Sequence, residues 1–183
     1  MFKLRLVPRL LVIPVVAIGL VILLFLGAST ALSGGTPIIN TDGYCFPVGG
    51  KYSYCDTWLA PRDGGRRKHY GCDVFAKRGT YLYAIYDGVI SKKYSGGLGG
   101  LSLWINTDDG KRYFYTHLNG FAPGIEKGVE VKAGQVVGYM GNSGNARTTP
   151  CHLHLGIKVN GTWVNPYPVL KQIENAQTKK EAG

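Results

Sequence analysis

The chain has 183 residues, room for one domain with a hydrophobic core and too few for two comfortable ones. With 27 glycines, 12 tyrosines and no long helical periodicity, the composition argues against a helical bundle and for short strands joined by tight turns. The net charge is +10. Lys3, Arg5 and Arg9 supply three of those positive charges and the remainder still carries +7, which favours an anionic partner: nucleic acid, an acidic membrane surface or a cell-wall polymer.

The N-terminus comes first. After the basic residues, positions 10–28 (LLVIPVVAIGLVILLFLGA) hold no charge. This run approaches the roughly 20 apolar residues that span a bilayer and exceeds the 7–15 of a cleavable signal. Residues 1–32 are therefore expected to form a cytoplasmic stub and a transmembrane helix. The remainder then lies outside the membrane, in the periplasm or beyond the cell. Ser29-Thr30-Ala31 also suits a cleavage site, in which case the domain is secreted. Residues 33–55 read as a linker and a loop leading into the domain, with Cys45 and Cys55 flanking a Gly/Tyr-rich stretch.

From about residue 80 the pattern becomes a string of strands: 81–86, 89–94, 101–106, 112–117, 135–140, 152–159 and 162–164. Asp87-Gly88 is expected to turn the first into the second. Asp108-Asp109-Gly110 and Asn160-Gly161 mark further turns. Residues 166–177 suggest one short helix, and 171–183 a charged tail. The expected fold is all-β: one antiparallel sheet or sandwich domain behind the membrane helix.

The four histidines carry the chemistry. His152 and His154 are two apart in a strand pattern, so both leave the same face. His69 and Asp73 are four apart across Gly71, which allows a bend, and imidazole with carboxylate suits Zn²⁺. His117 ends an aromatic strand. Each of these features alone is weak; their joint presence is not.

The segment 61–73 (PRDGGRRKHYGCD) resembles the His-x-x-x-Asp motif of the lysostaphin-type, or LytM-like, endopeptidases. Tyr115-Thr116-His117-Leu118 resembles their Tyr-x-His-Leu segment, and His152-Leu153-His154 their closing His-x-His. The likeness covers residues 56–170. It implies one zinc ion per chain, held by His69, Asp73 and His154 with a fourth position open for water. It also implies that His117 and His152 flank that water, one as base and the other steadying developing charge, with spacing leaving open which does which. A tyrosine that some relatives carry shortly before the first His is missing from residues 63–68. Arg66 or Arg67 is then a candidate cationic stabiliser or a grip on anionic polymer, and Tyr115 a candidate substrate contact.

Four cysteines in an exported domain suggest disulfides. If Asp73 and the two histidines face the metal, Cys72 and Cys151 lie behind it. The expected pairs are Cys72–Cys151, stapling the metal-bearing strands, and Cys45–Cys55. The implied function is hydrolysis of a peptide bond in peptidoglycan, in a stem peptide or cross-bridge, with membrane contact through residues 10–28 and no nucleic acid. The alternatives are a non-catalytic peptidoglycan-binding or amidase-activating module, or a structural part of a cell-envelope complex.

Overall fold

The structure, a computed structural model, describes residue 40 and residues 42–181. The expected membrane segment lies outside these residues, and among the described residues no helix is long and apolar enough to cross a membrane. In chain order the strands are β1 (Tyr52–Tyr54), β2 (Pro61–Arg62), β3 (Arg67–Lys68), β4 (Cys72–Ala76), β5 (Tyr81–Tyr83), β6 (Gly88–Tyr94) and β7 (Leu101–Thr107). They continue with β8 (Lys111–Leu118), β9 (Gly120–Phe121), β10 (Glu130–Val131), β11 (Val136–Tyr139), β12 (His152–Val159) and β13 (Thr162–Val164). A 3₁₀ turn occupies Gly144–Ala146 before β12, and helix α1 spans Pro166–Glu181.

The main sheet runs β1-β4-β12-β8-β7-β6-β10, with β13 paired to β12; β5-β11-β9 form a smaller sheet, and β2-β3 a two-stranded ribbon. The strand pairings are antiparallel, as the sequence predicts. Period-2 alternation explains the layering. On β12, Leu153, Leu155 and Ile157 are fully buried, while His152, His154 and Lys158 point to the other face. The buried face packs with Leu103, Ile105, Tyr113 and Tyr115 of the neighbouring strands, and with Leu82, Val137 and Met140 of or beside the small sheet. Each such aliphatic side chain contributes roughly 1.5–3 kcal/mol on burial.

Three expectations are corrected. The turn at Asp87-Gly88 does not join a hairpin, because β5 pairs with β11 whereas β6 pairs with β7 and β10. The Asp87 carboxylate instead accepts from the Ala133 N–H at 2.8 Å and from Lys132 at 2.8 Å. The C-terminal stretch read as a tail is helix as far as Glu181, and Leu170 and Ile173 are buried in the core. Asn165 caps this helix through Tyr167 N–H, 2.9 Å away, and Pro166 occupies the first helical position, where no donor is needed.

The third correction concerns sulfur. Neither expected disulfide forms. In the β4–β12 pair Cys72 faces Leu155 and Phe75 faces His152, so Cys151 falls beside Ala76, whose N–H donates to the Cys151 carbonyl. That is four residues along the strand from Cys72, or about 13 Å, roughly twice the Cα separation a disulfide spans. Cys72 does lie behind the site, but its thiol is directed at the Cys55 carbonyl oxygen, 3.5 Å away, and burial pushes its pKa up to about 12. Cys45 is buried against Tyr83 and Ala133, its thiol donating to the Phe46 carbonyl.

Candidate active site

The ribbon β2–β3 folds over the polar face of β4 and β12 and fixes the position of His69 just beyond it. The His69 N–H donates to the Ala60 carbonyl and its own carbonyl accepts from Leu59 N–H, at 3.0 and 2.9 Å. Asp73 on β4 stands directly across from His154 on β12, whose other neighbour is Thr116 on β8. The structure thus brings together the three residues expected to hold a metal. His69 Nε2 is 2.9 Å from Asp73 Oδ1 and 2.8 Å from His154 Nδ1, and the last two atoms are 3.0 Å apart.

The donor chemistry of this cluster fits a cation. His69 Nδ1 lies 2.9 Å from the Thr57 carbonyl oxygen, which only accepts, so the ring proton is assigned to Nδ1 and Nε2 offers a lone pair to the cluster. Two imidazole nitrogens and a carboxylate oxygen then converge on one point. An extra proton there is disfavoured, because burial lowers the pKa of His154. Burial alone would raise the pKa of Asp73, but the neighbouring His154 and His69 rings outweigh it and hold the carboxyl below the usual range. The donor set fits a divalent cation, which His69, Asp73 and His154 would hold. Thr116 adds a second sign: its buried Oγ1 has no hydrogen-bond partner, although it occupies the position opposite His154.

His117 and His152 flank the cluster, their ring centroids 4.9 Å apart, with His117 6.1 Å from His154. Their Nδ1 atoms lie 2.9 Å from the Ser143 and Pro150 carbonyl oxygens respectively, which assigns the ring protons to Nδ1 and leaves each Nε2 able to accept. Burial lowers the pKa of His117 to about 4, so it is a neutral base near pH 7. Its backbone is unusual: φ is +65°, a left-handed conformation rare for a non-glycine residue. That conformation breaks the alternation of β8 and puts His117 in the groove beside Thr116 instead of in the core with Tyr115.

The remaining expected contacts divide. Arg67 lines the groove, whereas Arg66 is 78% exposed, binds Asp63 and lies off the groove lining. Tyr115 is not a substrate contact. It is fully buried on the opposite face, its hydroxyl donating to the Tyr83 carbonyl at 2.9 Å and accepting from Ile85 N–H at 3.1 Å. Sequence reasoning missed Arg62, whose guanidinium grips Asp73 Oδ2 at 2.6 Å and leaves Oδ1 for the cluster. No local signal marks it, since the β2–β3 turn alone brings it over Asp73. It missed Gly156 too, although a glycine inside a strand pattern signals a close approach by another group.

A groove of about 640 Å³ runs over the cluster, bounded by the β2–β3 ribbon, Gly99, Pro150 and Trp163. Residues 67–166 match the model of peptidase family M23. The chain belongs to peptidase family M23. The curated M23 relatives include the L-Ala–D-Glu endopeptidase of Bacillus subtilis, 39% identical over an alignment 153 positions long that covers 78% of this chain and 47% of that protein. The chain thus spans about half the length of that relative. Among solved M23 structures, LytM of Ruminococcus gnavus superposes with a TM-score of 0.63 at 37% identity, covering 74% of this chain and 61% of that one. The catalytic domain of lysostaphin from Staphylococcus simulans superposes at 0.55 with 33% identity, covering 71% and 94% respectively.

Proposed function

We propose that this M23 chain is a zinc-dependent endopeptidase that cuts a peptide bond in peptidoglycan. The observation that carries the reading is the convergence of His69, Asp73 and His154 within 3.0 Å of one another, open to a groove that two further imidazoles flank. Relatives that include an L-Ala–D-Glu endopeptidase and a peptidoglycan DD-endopeptidase of Vibrio cholerae support the substrate class.

Zinc held by His69, Asp73 and His154 supplies Lewis acidity, polarising a carbonyl and making water a nucleophile near neutral pH. The protein does the rest. Arg62 fixes the Asp73 carboxylate so that one oxygen faces the cluster. Ser143 and Pro150 carbonyls hold the rings of His117 and His152 with Nε2 free. One of these nitrogens accepts a proton from the attacking water and returns it to the departing amine, a transfer contributing roughly 10²–10⁴-fold. The basic surface retains the enzyme on an anionic wall. In this reading residues 10–28 anchor the chain, residues 56–170 form the peptidase domain outside the membrane, and the partner is peptidoglycan.

The test is digestion of purified peptidoglycan with the new termini identified by mass spectrometry, alongside metal analysis. About one zinc per chain is expected, lost in Asp73→Ala and His154→Ala together with hydrolysis. Retention of wall polymer without any new amino group would assign the chain instead to the non-catalytic binding modules.

A further inference from the structure

The face of the main sheet beyond the metal cluster carries an arrangement that holding a cation does not require. On β12 the residues that share this face are His154, Gly156 and Lys158. Gly156 has no side chain, and Trp163 of the neighbouring β13 lies over it: a Cβ at position 156 would come within 2.6 Å of the indole Cζ3. Trp163 in turn neighbours Tyr70, Phe114 and Trp104, with ring centroids 6.3, 6.3 and 5.6 Å away, and Phe114 stacks on Trp104 at 4.4 Å. Tyr70, Phe114 and Trp163 line the same groove as the metal cluster. The groove therefore has an aromatic floor on one side of the cluster.

Two cations stand over the far part of this floor. Lys158 Nζ is 4.5 Å from the centroid of Trp163, and Arg112 Cζ is 4.9 Å from that of Trp104. Arg112 and Lys158 face each other across β8 and β12. Lys93, Lys111, Lys132 and Lys171 are each paired with a carboxylate, but neither Arg112 nor Lys158 has one within 4.0 Å among the described residues. Arg112 is oriented by the Asn106 side-chain oxygen, 3.1 Å from its Nε, which leaves the terminal guanidinium nitrogens to other partners. Surface cations over aromatic rings often serve packing alone, at about 0.5–1 kcal/mol each. Here they end an apolar floor that starts at the metal cluster, and their charge complements a carboxylate.

We propose that Arg112 and Lys158 form a subsite for a free carboxylate on the peptide arm of the substrate, with the intervening residues lying on Trp163 and Phe114. Lys158 is four residues from His154 along β12, or about 13 Å, which an extended peptide of about four residues spans. A bidentate guanidinium beside an ammonium, both backed by aromatic rings, discriminates an acid from its amide by charge and by geometry. The proposal rests on reading the metal cluster as the hydrolytic centre.

The experiment compares two cross-linked muropeptides that differ only in whether the terminal carboxylate is free or amidated. For the zinc-loaded protein the KM of the free acid is expected to be about tenfold lower than that of the amide, the equivalent of one charge-assisted contact. In the Arg112→Gln/Lys158→Gln variant the ratio falls to about one, while Arg112→Lys keeps part of it. Equal KM values for the two muropeptides in the wild type, or a ratio unchanged in the double variant, overturns the subsite. If the wild type cuts neither, calorimetric binding of the same pair decides. Preference for the acid, lost in the double variant, upholds the subsite even as the hydrolytic reading falls, and equal binding removes both.

Discussion

Gly71 and His154 occupy each other's space: a Cβ on residue 71 would sit 2.6 Å from His154 Nε2 and 2.7 Å from the Leu155 carbonyl oxygen. Glycine is therefore required midway between His69 and Asp73 for a steric reason, not for backbone freedom. It leaves room for the imidazole of His154, whose Nδ1 lies 3.0 Å from Asp73 Oδ1. Gly71→Ala is expected to displace that ring and weaken metal binding about 10–100-fold, the range seen when groups supporting a ligand are lost. Zinc titration against a competing chelator, with circular dichroism to show the sheet intact, checks this. Wild-type affinity would exclude the role.

His117 stores strain where the chemistry is proposed. A left-handed non-glycine residue costs roughly 1–3 kcal/mol and persists only when its surroundings impose it. Asparagine tolerates that conformation better. His117→Asn is thus expected to keep zinc and to unfold within a few degrees of the wild type, while turnover falls roughly 10²–10⁴-fold. His152→Ala, at an unstrained strand position, should lose comparable turnover without any compensating relief of strain. Thermal melts and initial rates on peptidoglycan separate the two variants; normal turnover in either removes that imidazole from the mechanism.

The register of β4 and β12 makes a chemical prediction about sulfur. Non-reducing peptide mapping of the full chain is expected to find no Cys72–Cys151 link, and reductant should shift the melting temperature by less than about 2 °C, far below what loss of a native disulfide costs. A linked Cys72–Cys151 peptide would require a strand offset of four residues and would contradict the pairing of His154 with Asp73.

Asp109 is expected to contribute stability that acid removes. It accepts from Tyr44 at 2.7 Å, Thr107 at 2.5 Å, Lys111 Nζ at 2.6 Å and Lys111 N–H at 3.0 Å, at the turn between β7 and β8. Burial opposes ionisation, but these hydrogen bonds lower its pKa to about 2, from 3.8. A depressed carboxylate contributes stability that is complete above its unfolded pKa and disappears as the pH falls through the folded one. The loss is therefore expected between about pH 4 and pH 2, and amounts to about 1–2 kcal/mol. Asp109→Asn should remove that part of the acid dependence. Urea melts at pH 2 and pH 6 measure it; identical pH dependence in variant and wild type would refute the assignment.

What the sequence discloses here depends on range. Period-2 alternation is local, and it places Leu153, Leu155 and Ile157 in the core and His152 and His154 in the groove. Alternation says which face a residue takes but not how far along its neighbour it lies, which is why Cys72 and Cys151 share no bond. It also groups Tyr115 with His117, until the positive φ of His117 separates them. Arg62 is beyond any local rule, because only the closed β2–β3 ribbon carries it to Asp73. Gly156 was legible in principle: a glycine within eight strand residues announces the indole that covers it.

The two ends of the described domain are clasped together. Glu174 of α1 accepts from the hydroxyls of Tyr52 and Tyr54 on β1, at 3.2 and 2.9 Å, while Leu170 and Ile173 anchor the same helix in the core. β1 lies beside β4, which bears Asp73, so the clasp sits one strand away from the His69–Asp73–His154 cluster. The clasp joins β1 to the helix and its buried anchor. The strand next to Asp73 and the last helix of the described residues therefore hold each other in place, with His69, Asp73 and His154 on the inner side of that tie.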